Sequence, residues 1–210
     1  MKHDTYIMMH SGALVGWTGE TETPTLGDLT LGMSRTPRFA GQTRVRWSVL
    51  DHSLFAASMA QQEAPLAYAL QLAVLLHDAH EALTGDVPTP FKSDRLRGIQ
   101  MGLDAKISSL VCLNKCGRLF TDHDALIKMY DLRALRAEAL VVASPMLTTP
   151  ELVAEHFGAA PEAADVENLK NYLTTFIPRE TKRSLFAALV EVLRHSRDPQ
   201  GNRPGEGDPK

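Results

Sequence analysis

Apolar residues recur at helical spacing along most of this chain, and that regularity limits what it can fold into. His52, Phe55, Ala56 and Met59 fall at i, i+3, i+4 and i+7, one face of a helix. The same spacing joins Leu66, Leu70, Ala73 and His77, then Leu96, Ile99, Leu103, Ile107 and Leu110. It returns in Ile127, Asp131, Ala134, Leu135 and Glu138, in Val166, Leu169, Leu173 and Phe176, and in Leu185, Leu189, Val192 and Leu193. Stop and start signals separate these faces. Ser48 followed by Asp51 reads as a capping pair, Pro65 suits a first helical turn, and Gly85 suits the position after a helix end. Thr121 or Asp122 can cap the helix that Ser144-Pro145 ends; Thr149-Pro150 opens a shorter one that Gly158 closes. Residues 26–35 read as a short helix, and "YIMMHSGALVGWTG" leaves room for a strand or hairpin. The expectation is an all-α fold: one multi-helix bundle over residues 1–196 with a short irregular N-terminal segment. The Pro-, Gly- and charge-rich stretch 197–210 is expected to be a disordered tail.

Composition narrows the function classes. A net charge of −3 argues against a dedicated binder of long nucleic acid, which needs a basic excess. No stretch approaches the roughly 18 apolar residues of a membrane helix, and the N-terminus lacks the apolar core of a secretion signal. The expected setting is cytoplasmic. Cys112 and Cys116 have no second Cys or His pair at zinc-site spacing, so they read as reduced structural thiols.

Polar residues on those apolar faces need partners. His52, the His77-Asp78 pair, Glu81 and Asp131 come from three helices. His77 and Glu81 are i, i+4 and are expected to lie over one another, with Asp78 about 100° further round. Singly, each has an ordinary reading: a hydrogen-bonded core histidine, a solvated or capping aspartate. Together, two imidazoles and two carboxylates make a mixed nitrogen and oxygen shell for a divalent ion. Such a shell suits Mn, Fe, Co or Ni and accepts Mg or Zn.

The pattern His52…His77-Asp78…Asp131 resembles the H…HD…D signature of the HD-domain phosphohydrolase superfamily. The longer string "HDAHEALTGDVPTP" resembles the branch of YfbR-type 5′-deoxynucleotidases and DatZ-type phage deoxynucleoside triphosphate hydrolases. "SVLDHSLFAASMA" is similar to the first-histidine helix of that branch, and "IKMYDLRALRAEA" to its last-aspartate helix. The resemblance implies an HD-domain bundle in which His52, His77, Asp78 and Asp131 ligate one divalent transition metal ion. It implies that Glu81 is the catalytic glutamate and Asp86 a second acidic group near the substrate. That branch also carries a phosphate-contacting Arg, often followed by an aromatic residue, ahead of the first histidine. Arg38 matches it because Phe39 follows, and Arg35 is the other candidate.

The chemistry this implies is hydrolysis of a deoxyribonucleoside 5′-phosphate at the phosphorus nearest the sugar. Glu81 would orient a metal-activated water, and Arg38, Arg35, Arg44, Arg46 and Lys92 are the local cations for phosphate. Phe39 or Trp47 could stack on a base or belong to the core. The expected partner is a small nucleotide, with neither membrane nor long nucleic acid, in a homo-oligomer as relatives of the branch assemble. The alternatives are a non-catalytic nucleotide-binding protein of the same fold, or a hydrolase of another phosphoester such as an alarmone. Glu81-Ala82 departs from the acidic pair usual in alarmone hydrolases.

Overall fold

The computed structural model describes residues 6–16, 21–111, 119–143, 146, 148–175 and 177–196. Two short strands, β1 (Ile7–Met8) and β2 (Leu14–Val15), pair antiparallel as the N-terminal hairpin. The helices follow in order: α1 (Leu26–Arg35), α2 (Val49–Glu63), α3 (Tyr68–Leu76), α4 (Glu81–Thr84) and α5 (Asp94–Val111). Then come α6 (Asp124–Val141), α7 (Pro150–Phe157), α8 (Ala163–Thr174) and α9 (Arg179–His195). The fold is an all-α bundle. Among the described residues no helix is long and apolar enough to cross a membrane.

Helix α2 runs through the middle, packed on α3, α6, α1 and α9. Its buried residues go right round the helix, and Ala56, Ala57 and Ala60 let neighbours approach. Caps set the start of α2 and both ends of α7 where the sequence places them. The Ser48 hydroxyl accepts from the Asp51 N–H while the Asp51 carboxylate accepts from Ser48, a reciprocal capping box that fixes where α2 begins. Thr149 caps α7, and Gly158 closes it in the left-handed conformation at φ 78°. Helix α1 occupies the expected residues, capped by Thr25 and Asp28.

Four expectations change. Pro65 does not open α3; it sits second in a tight turn closed by the Ala67 N–H on the Ala64 carbonyl, where its fixed φ also fits, and Leu66 is exposed. The expected continuous helix to Gly85 breaks after Leu76. Ala79, Glu81, Ala82 and Leu83 each bond three residues back, so the chain tightens before the single turn of α4, which Gly85 ends at φ 76°. A 3-10 turn covers 121–123, so α6 starts at Asp124 with His123 at the cap position. In α9 the buried face is Phe186, Val190 and Leu193, while Leu185 and Val192 point outward. Both sets have helical spacing, and only packing distinguishes them. Cys112, Cys116, Ser144-Pro145, Phe176 and the 197–210 tail lie outside the described residues.

Candidate metal centre

The interruption after Leu76 creates the centre. It leaves His77 at the end of α3 and turns Asp78 onto the same point as His52 of α2 and Asp131 of α6. One donor atom from each of these four residues lies within 4.8 Å of the others. The two Nε2 atoms of His52 and His77 are 3.2 Å apart. Asp78 Oδ2 is 3.2 Å from His77 Nε2 and 3.5 Å from His52 Nε2; Asp131 Oδ1 is 3.5 Å from His52 Nε2.

The tautomers show that a cation fits. His77 Nδ1 faces the Val74 carbonyl at 2.7 Å, which can only accept, so Nδ1 carries the proton. His52 Nδ1 faces the Glu138 carboxylate at 2.7 Å and donates likewise. Both Nε2 atoms then present lone pairs to each other across 3.2 Å, which repel unless a cation or a proton lies between them. A carboxylate or carbonyl behind each imidazole is the usual support for a metal-binding histidine.

The electrostatics ask for the same positive charge. Burial and Arg38 oppose a charged His52, yet Glu138 and Asp131 outweigh them and raise its pKa to about 10. Burial also opposes ionisation of Asp131, but the His52 and His77 contacts hold it down at about 2. Asp78 lies well below the usual carboxylate range because His77, His52 and Arg38 overcome its burial. Glu81 goes the other way. Burial first, then the charges of Asp78 and Asp86, push it up to about 9 against Arg38 and Lys92.

Around the four donors, several of the expected residues assemble. Arg38 is only 7 % exposed and reaches Asp78 Oδ2 at 3.3 Å and Glu138 Oε2 at 3.4 Å. Its turn is anchored by the Arg38 N–H on the Trp47 carbonyl, and the next two residues, Phe39 and Ala40, are left-handed at φ 53° and 52°. Non-glycine residues adopt that conformation at a cost of about 1–3 kcal/mol each, so the surrounding packing holds this loop in place. Phe39 lies half-buried against the core with the Arg38 guanidinium 5.8 Å from its ring. Lys92 Nζ is 3.5 Å from Glu81 Oε1, and the charge of Asp86 acts on both Arg38 and Glu81. Arg35 is exposed and opens onto another cleft, with Arg44 and Arg46, whose lining includes none of the four donors. Trp47 is a core residue packed edge-on to Tyr172.

The tightened turn also regroups Glu81. In a 3-10 turn i and i+3 eclipse, so Glu81 gathers with Asp78 and His80 and not over His77 as regular helix geometry predicts. Three participants went unassigned in the sequence: Glu138, His80 and Asp104. Glu138 had a signal, an acid on the apolar face of Asp131 and Ala134. Asp104, 2.8 Å from His80 Nδ1, had none, since α5 meets the turn only in the folded chain. No family model and no curated protein matches this chain.

Proposed function

We propose that this chain is a metal-dependent phosphohydrolase of the HD type, acting on deoxyribonucleoside 5′-phosphates at the phosphorus nearest the sugar. The observation that carries the metal-dependent part is the convergence of His52, His77, Asp78 and Asp131 with both Nε2 lone pairs turned inward. The substrate class rests on the resemblance of the 77–90 string to the nucleotidase branch.

When bound, a divalent ion supplies acidified water and counter-charge for phosphate oxygens. The rest falls to side chains. Arg38, tied to Asp78 and Glu138, offers paired N–H donors to the phosphate. Glu81, once a bound cation offsets the neighbouring carboxylates that raise its pKa, orients the attacking water and moves its proton, with Asp86 behind it. Lys92 offsets the negative charge beside Glu81. The water oxygen bonds to the α-phosphorus, the bond to O5′ breaks, and a proton passes to O5′. A monophosphate then gives deoxynucleoside and orthophosphate; a triphosphate gives deoxynucleoside and tripolyphosphate.

The test is product identification. Purified protein with Mn²⁺ or Co²⁺ is incubated with dAMP, dATP, AMP and ATP, and the products are separated by chromatography. Deoxyadenosine is the expected product from the deoxynucleotides. Accumulation of dADP or dAMP from dATP would mean attack at an outer phosphate and overturn the proposal. Binding without turnover of any substrate would favour the non-catalytic reading.

A further inference from the structure

We propose a second divalent-cation site beside the first, formed by Asp78, His80 and Glu81, with Asp104 orienting His80 and Asp78 shared between the two ions. The inference rests on the metal-dependent reading of the neighbouring centre and adds a site to it.

His80 is the residue that points to it. It is 7 % exposed, and its Nδ1 is taken up by Asp104 Oδ1 at 2.8 Å. A carboxylate there accepts a hydrogen bond from Nδ1–H, so the neutral ring keeps its hydrogen on Nδ1 and Nε2 carries a free lone pair. That Nε2 is buried and has no hydrogen-bond partner among the described residues. A buried acceptor without a partner costs on the order of 1–3 kcal/mol, so a core histidine held this way is a poor structural device. It is a good ligand: one His80 ring nitrogen and one oxygen each from Asp78 and Glu81 lie within 4.8 Å of one another.

Glu81 gives the second observation. Lys92 pairs with its Oε1, while Oε2 is buried and has no partner among the described residues. Carboxyl groups outnumber cations here: Asp78, Glu81, Asp86, Asp104, Asp131 and Glu138 face the guanidinium of Arg38 and the ammonium groups of Lys92 and Lys128. An ion held by His52, His77, Asp78 and Asp131 would still leave Glu81 Oε2 without a hydrogen-bond partner among the described residues. In paired-metal sites two ions about 3.5–4 Å apart hold the attacking and the leaving oxygen, and here Asp78 belongs to both donor groups. The donor set, one imidazole and two carboxylates, suits Mn²⁺ or Co²⁺.

Equilibrium dialysis of the chelator-stripped full chain against Mn²⁺, with metal quantified and electron paramagnetic resonance recorded, tests this. The wild-type chain should bind two ions and show a spin-coupled pair. His80→Gln should bind one ion without coupling, and Asp104→Asn, at a partly exposed position, should weaken the second ion about 10–100-fold while keeping the first. Circular dichroism checks that both variants fold. Wild-type protein holding a single ion that Asp131→Ala removes would overturn the second site and leave the first standing. Two ions retained at full affinity by both variants would assign the second ion elsewhere and overturn the proposal. Failure of the wild-type chain to bind any ion would sink both sites.

Discussion

Glu138 Oε1 lies 2.7 Å from Nδ1 of His52, and neither side chain is exposed at all. The other Glu138 oxygen faces Arg38. One buried carboxylate therefore fixes both the tautomer of His52, a candidate metal ligand, and the position of Arg38, the guanidinium proposed to meet phosphate.

That relationship predicts a split between two substitutions. Glu138→Gln keeps an acceptor for His52 but removes the charge, so metal affinity should fall about 10–100-fold with the fold retained. Glu138→Ala leaves the buried His52 Nδ1 without its acceptor and Arg38 with Asp78 alone, and should cost about 3–5 kcal/mol of stability. Chelator competition and thermal melting read the two effects. Unchanged affinity in Glu138→Gln would remove Glu138 from the metal-binding machinery.

A second prediction concerns what holds α4 in place. A Cβ on Gly32 would lie 2.7 Å from both the Cβ and the carbonyl oxygen of Ala82, so α1 can approach α4 only because residue 32 is glycine. Backbone cannot yield as a flexible side chain does. Gly32→Ala should destabilise the protein by about 1–3 kcal/mol, measured by denaturant unfolding. It should also lower turnover, because Glu81 is on α4. A variant as stable as the parent would show that the two helices separate freely.

Much of this arrangement was legible in the sequence. The Ser48 and Thr149 caps and α1 follow from spacing and residue type, because each depends on neighbours in sequence. The grouping of His52, His77, Asp78 and Asp131 spans three helices, and it was the resemblance to the H…HD…D pattern that named those four together. What was not legible depends on distant partners. The kink after Leu76 replaces i, i+4 bonding by i, i+3 bonding within a segment whose composition is helical throughout. The choice of Phe186, Val190 and Leu193 as the inner face of α9 is made by packing, since the alternative face is equally periodic. Asp104 joins His80 across 24 residues.

The metal-free protein should lose stability as pH rises. His52 is raised from 6.5 to about 10 and Glu81 from 4.5 to about 9, so the folded state binds more protons than the unfolded chain between those limits. Stability then falls with increasing pH, in the His52 case through the window from 6.5 to about 10. Asp131, lowered to about 2, acts in the opposite sense and matters only as pH falls below 3.8. A bound divalent ion replaces the protons, so the loaded protein should show a flatter alkaline profile. Melting temperatures from pH 6 to 10, with and without chelator, test this; parallel curves would contradict a cation among these groups.

The last prediction separates proton handling from metal holding at Glu81. Its side chain is 2 % exposed, shares the turn with Asp78, and meets Lys92 at Oε1. Glu81→Gln preserves shape but cannot accept and release a proton. The fold and the ion held by His52, His77, Asp78 and Asp131 should remain, while turnover should drop by about 10² or more. Glu81 is also a proposed ligand of the second ion, so the fall needs dissecting. Saturating Mn²⁺ does this: a weakened ligand is restored by excess ion, whereas a missing proton carrier is not. A rate that stays low at saturating Mn²⁺ assigns proton transfer to Glu81. Full recovery would limit its role to metal binding and make Asp86, whose charge already acts on Glu81, the next proton carrier to test.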